Sequence, residues 1–124
     1  MDSWRLLKLE THNAYKNMAI DEAILTAIIE NLVPNTIRFF LWNPSAVSIG
    51  KFQNIKNEVH LEKCKKYGVN VVRRITGGGT VYHDTEGEIT YSVTANKKDL
   101  HTENITEVYR KIYTGIVEAL KILG

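Results

Sequence analysis

Two spacings of apolar residues alternate along the chain. Residues 4–10 are short, apolar-rich and bounded by polar positions, which predicts a strand. Thr11, His12 and Asn13 follow as cap-type residues. Met18, Ala19, Ala23, Ile24, Ala27, Ile28 and Leu32 then recur at three- and four-residue spacing, predicting an amphipathic helix over 14–31 that stops before Pro34. Two β-rich runs, 36–42 and 46–50, flank the turn Asn43-Pro44-Ser45. Residues 57–67 read as a short charged helix with Val59, Leu61 and Cys64 inward and Gly68 as its stop. A β-rich run, 69–75, leads into Gly77-Gly78-Gly79, and 81–83 and 89–94 read as two strands around the turn 84–87. Asn104, with Glu107 three residues on, approximates a capping box. Behind it Ile105, Val108, Tyr109, Ile112, Ile116, Leu120 and Leu123 form one helical stripe, interrupted only by Gly115.

The order β-α-β-β-α-β-β-β-α predicts an α+β fold with a mixed or mainly antiparallel sheet and helices on one face. At 124 residues, without internal repeat or linker, the chain reads as a single domain over 1–124. Gly124 has the look of a helix C-cap, and a fold continued on a second polypeptide would read the same way.

Composition narrows the function. Sixteen Lys and Arg against 14 Asp and Glu leave a charge of +2, too small for a general nucleic-acid binder. The single cysteine, Cys64, excludes an internal disulfide framework and a cysteine-only metal site, and suits a reducing cytoplasm. No apolar run reaches the ~18 residues of a membrane span. The four histidines, His12, His60, His83 and His101, make no recognisable metal spacing.

The chemistry concentrates in Arg73-Arg74-Ile75-Thr76-Gly77-Gly78-Gly79-Thr80-Val81-Tyr82-His83-Asp84. Side-chain-free residues between two strands let backbone approach a ligand and turn several N–H groups toward one anion. Adjacent strand arginines point to opposite faces, so one faces the ligand and the other pairs with a carboxylate or supports the loop. A solvated glycine hairpin is the plainer alternative. No Gly-Lys-Ser/Thr follows, as in a P-loop, and a strand stands where a dinucleotide fingerprint needs a helix. His83 and Asp84, as strand neighbours, face apart and do not make a dyad. Asp21 or Glu22 is a candidate partner for Arg38 or Arg74, and Ser48-Ile49-Gly50 with Gln53-Asn54 a candidate polar pocket wall.

Those twelve residues, 73–84, resemble the signature of the lipoate–protein ligase family, Arg-Arg-x-x-Gly-Gly-Gly-x-Val-x-His-Asp. Asn17 to Glu22, Arg38-Phe39-Phe40 with Trp42, and Ser48-Ile49-Gly50 with Gln53-Asn54 agree in the same order. The resemblance implies the biotin/lipoate ligase-like fold, represented by its N-terminal part. It implies that lipoate and ATP, with Mg2+, give a lipoyl-adenylate. A lysine of an acceptor then takes the acyl group: the lipoyl domain of a 2-oxoacid dehydrogenase E2, or the glycine-cleavage H protein. Carried over, the adenylate contacts are Arg74, Gly79, Thr80, Val81 and Tyr82, with Gly77 and Gly78 shaping the loop. Arg73, His83, Arg38 and Gln53 support them, and Val72 and Val81 floor an acyl tunnel. The family's lysine lies downstream, so the resemblance implies a complementary C-terminal chain and an exposed apolar face where it docks. Glu88-Ile89-Thr90-Tyr91-Ser92 is closer to the cysteine-dependent octanoyltransferase branch. That leaves three readings: ligase, transferase, and a non-catalytic binding half.

Overall fold

The computed structural model describes residues 3–124. The first strand, β1 (Trp4–His12), is followed by helix α1 (Ala14–Ile29) and strand β2 (Asn35–Trp42). Then come β3 (Ala46–Ile49), the short helices α2 (Ile55–Glu58) and α3 (Leu61–Lys66), and strands β4 (Asn70–Arg73), β5 (Val81–His83) and β6 (Thr90–Thr94). A single 3-10 turn, Lys97–Leu100, precedes the long helix α4 (Ile105–Leu123).

The strands form two three-stranded sheets, ordered β1-β2-β6 and β4-β3-β5. Each is mixed. β1 runs parallel to β2 across α1, and β3 parallel to β4 across α2 and α3; β6 and β5 add antiparallel to β2 and β3. The extended runs on either side of each predicted turn, β2 with β3 and β5 with β6, belong to different sheets. Alternation marks a segment as extended but does not choose its partner strand.

Local chemistry explains most boundaries. The Asn13 side chain caps α1 by accepting from the Lys16 amide at 2.9 Å, whereas Thr11 and His12 continue β1. The predicted helix over 57–67 is two helices, because Asn54 caps an earlier start and Val59 turns extended at φ −135°. Asn104 Oδ1 accepts from the Thr106 amide at 2.9 Å and starts α4.

The core lies where the two sheets meet α1. Ala14, Phe40, Trp42 and Ala46 are buried together, with Met18 and Val72 packed against them. β2 carries large apolar residues on both faces. Thr36, Arg38, Phe40 and Trp42 turn toward α1, and Ile37 and Phe39 turn away. α1 packs on one face of β2, and α4 lies along the other. There a cavity of about 490 Å³ is lined by Leu6, Phe39, Val93, Ile112, Gly115 and Ile116. No α4 residue is fully buried, and Tyr109, Tyr113, Val117 and Leu120 face solvent, which supplies the apolar surface anticipated from the resemblance. A Cβ on Gly115 would meet nothing within 4 Å. Gly115→Ala should therefore raise stability by up to about 1 kcal/mol, read as a higher thermal midpoint. Among the described residues no helix is long and apolar enough to cross a membrane.

Candidate functional site

The site forms where β3 and β4 end side by side. Arg74 leaves the strand and folds back over the loop that follows it. Its Nη1 donates to Ser48 Oγ at 2.8 Å, and its Nη2 to the carbonyls of Gly77 at 3.0 Å and Gly79 at 2.9 Å. Partial burial draws the guanidinium below its ordinary pKa without discharging it. Arg73 works on the neighbouring turn, its Nη1 donating to the carbonyls of Gly50, Lys51 and Gln53 at 3.1, 3.3 and 2.6 Å. Both arginines thus fasten backbone, and among the described residues neither is paired with a carboxylate.

This fastening has a geometric consequence. In a trans peptide the C=O of one residue points opposite to the N–H of the next. With the Gly77 and Gly79 carbonyls drawn to Arg74, the amides of Gly78 and Thr80 face away from it, on an exposed bend. Gly78 sits at φ +98°, a conformation that disfavours any side chain. The outcome is a pair of backbone donors, the Gly78 and Thr80 amides, turned away from Arg74.

The turn at 50–53 holds the loop from the other side. The Lys51 amide donates to the Thr76 carbonyl at 2.9 Å. Gln53 Oε1 accepts from the Gly50 amide at 2.8 Å, and the Thr80 hydroxyl has two acceptors for its one hydrogen, Glu58 Oε2 at 3.0 Å and Gln53 Oε1 at 3.3 Å. Beneath the loop His83 is buried. Its Nε2 lies 2.7 Å from Ser48 Oγ and its Nδ1 2.7 Å from Glu88 Oε1. Partial burial works to raise the Glu88 carboxyl, but hydrogen bonds from Thr90, His83 and the Asp84 amide outweigh it and hold the carboxyl below its usual value.

The lipoyl protein ligase A/B catalytic domain matches residues 13–124. The chain belongs to this family. Among its relatives is the octanoyltransferase LipM of Anoxybacillus flavithermus, 44% identical over 98% of this chain and 43% of the relative. In fold it is similar to a lipoate-protein ligase A crystallised with ATP, with a TM-score of 0.81 and 37% identity over 97% of this chain and 47% of that one. A bipartite lipoate ligase from Thermoplasma acidophilum, solved in work on that ligase and its E2 lipoyl domain, gives a TM-score of 0.80 at 35% identity, covering 100% of this chain and 47% of its own. The chain therefore spans about half the length of the relatives it matches.

Of the residues that family resemblance singled out, Arg73, Arg74, Gly77, Gly78, Gly79, Thr80, His83 and Gln53 come together. Val81 and Tyr82 lie on β5 with exposed side chains. Val72 is half-buried and packs against the core cluster. Arg38 lies between β2 and α1, its Nη1 3.0 Å from Asp21 Oδ1 and its Nη2 2.5 Å from Asn17 Oδ1. Of the two partners open to Asp21, the structure selects Arg38. Glu88 as a partner of His83 was not legible beforehand. Cys64 lies on α3, half-buried. Among the described residues no group of three His, Cys, Asp or Glu side chains is placed to hold a metal ion.

Proposed function

We propose that this chain is the acyl-binding half of an enzyme that moves an octanoyl or lipoyl group onto a lysine of a lipoyl domain. The observation that carries the reading is the outward orientation of the Gly78 and Thr80 amides, imposed by Arg74 on their carbonyl neighbours. Acyl transfer passes through a tetrahedral oxyanion, and preorganised backbone donors stabilise it. A bend without side chains lets a bulky activated carbonyl come against those donors.

An octanoyl carrier thioester is the preferred donor. Relatives named as octanoyltransferases, and the Glu88-Ile89-Thr90-Tyr91-Ser92 stretch, support it. Such a transfer exchanges a thioester for an amide and uses no ATP. ATP-dependent ligation through a lipoyl-adenylate is the second reading, favoured by the likeness to an ATP-bound ligase. There the same amides would face the acyl phosphate. Any Mg2+ would come with the nucleotide, bound through its phosphates. In both readings a complementary C-terminal segment supplies the lysine, and the cysteine where one is used. The solvent-facing apolar row of α4 and the bipartite ligase among the neighbours support this division. The acceptor is the lipoyl domain of an E2 subunit or the H protein.

The test combines the chain with a polypeptide carrying the second half. Octanoyl transfer from its carrier protein to a lipoyl domain is the expected result. Lipoate-dependent ATP–pyrophosphate exchange would establish the ligase instead, and neither activity would leave a binding half. In direct titration with lipoate, Arg74→Ala should weaken binding by about 1.5–3 kcal/mol, the scale of hydrogen bonds made by a charged group. Unchanged affinity would sink the assignment.

A further inference from the structure

Ser48, His83 and Glu88 have the spacing of a nucleophilic triad, with 2.7 Å from hydroxyl to ring and 2.7 Å from ring to carboxylate. Two facts rule that chemistry out. Ser48 has no exposed surface, at 0%. Its oxygen is already taken by Arg74.

Following the protons gives the group another role. A guanidinium only donates, so Ser48 Oγ accepts from Arg74 Nη1. The serine has one hydrogen left to give, and His83 Nε2 is placed to accept it. The ring proton is then on Nδ1, where Glu88 Oε1 accepts it. Thr90 Oγ1 donates to the same carboxylate oxygen at 2.5 Å and accepts from Trp42 Nε1 at 2.8 Å. Every hydrogen in the chain of bonds has an acceptor, and every bond runs in a consistent direction. With His83 doubly protonated, Ser48 Oγ would accept from both sides and its own hydrogen would lose this partner. The Trp42 ring stacks on His83 at 4.0 Å and 14°, fixing the plane of the imidazole. Trp42 and Thr90 belong to the first sheet, Ser48 and His83 to the second, so the network ties the two sheets together at the site.

We propose that Ser48, His83 and Glu88 are positioning residues: they set the Arg74 guanidinium, and through it the outward amides of the glycine loop. The functional consequence rests on the acyl-binding reading above; the hydrogen-bond order does not. A satisfied polar network of this kind holds one arrangement where an apolar filling would leave Arg74 free to swing.

Two measurements on the full chain test it. In a long-range 1H–15N spectrum of the histidine-labelled chain, His83 should be the neutral Nδ1–H tautomer. A neutral Nε2–H form, or a doubly protonated ring at pH 7, would overturn the proposal whatever the chain binds. Lipoate titration then compares three variants. His83→Phe keeps a ring on Trp42 and removes both bonds, and should weaken lipoate about tenfold, the scale of a lost hydrogen bond. His83→Gln offers Ser48 an acceptor again and should recover to within about threefold of the parent. If Arg74→Ala weakens lipoate while His83→Phe does not, or if both His83 variants lose equally, the positioning role is refuted. If Arg74→Ala leaves lipoate unaffected, the acyl-binding reading fails, and the tautomer still decides the hydrogen-bond order.

Discussion

Asp21→Ala should lower the stability of the fold by about 3–5 kcal/mol, the cost of breaking a buried ion pair from one side. Arg38 is only 3% exposed, and Asp21 is the carboxylate it meets. Its remaining acceptors, the Asn17 carbonyl at 3.0 Å and the Asn17 side chain, are neutral. The Phe40 ring, 3.9 Å below the guanidinium carbon, cannot take the place of a counter-charge. Ser92 Oγ would also lose the acceptor it now reaches at 2.8 Å. A domain of this size has about 5–15 kcal/mol in all, so the loss would show as a large drop in the urea midpoint. The double replacement of Arg38 by Met and Asp21 by Leu should be less damaging than Asp21→Ala alone, because no charge is left stranded. A single variant with the parent's midpoint would mean that Arg38 is solvated in a way this packing does not allow.

The second large effect is at Gly50. A Cβ built there would lie 2.2 Å from the Gly78 carbonyl oxygen and 3.2 Å from the Gly77 carbonyl carbon. Both are backbone atoms, so no side-chain rotation relieves the contact. The loop that would have to move is held by Arg74 on one side and by the Lys51 amide on the other. The turn carrying Gly50 is held in turn by Arg73. Gly50→Ala should therefore cost about 3 kcal/mol, the upper end of overpacking, and abolish lipoate binding. Gly77→Ala is the control. Its added Cβ meets nothing within 4 Å, and its stability should stay within about 0.5 kcal/mol of the parent. Equal effects of the two substitutions would show that loop flexibility, not the close approach, is what matters.

Much of the candidate site was legible beforehand because its signal is local. Three consecutive glycines announce a bend, and two arginines beside it announce a partner for oxygen. Which oxygen was not legible. The expectation of one ligand-facing arginine came from strand alternation, but Arg74 lies just beyond β4 and curls back onto its own loop. Glu88 was noticed only as part of a variant stretch, and nothing in sequence spacing couples it to His83. The α1 stripe was equally instructive. Ala19, Ala23 and Leu32 fit the period yet are exposed, whereas the polar Asn17 is 0% exposed. Asn17 earns that position by giving its amide to the His12 and Leu41 carbonyls at 3.1 and 3.0 Å while its oxygen takes Arg38.

Sequence alone determined the kinds of element, most of their order and the place of the glycine bend, since side-chain period, caps and missing side chains act within a few residues. Only the tertiary structure decided that the strands divide into two sheets, that Arg38 of β2 pairs with α1 and Arg74 with the loop, and that a buried serine and histidine stand behind the site. Those are choices of partner between groups up to tens of residues apart. A residue's type limits what it can donate or accept, and the folded chain sets which group is within reach.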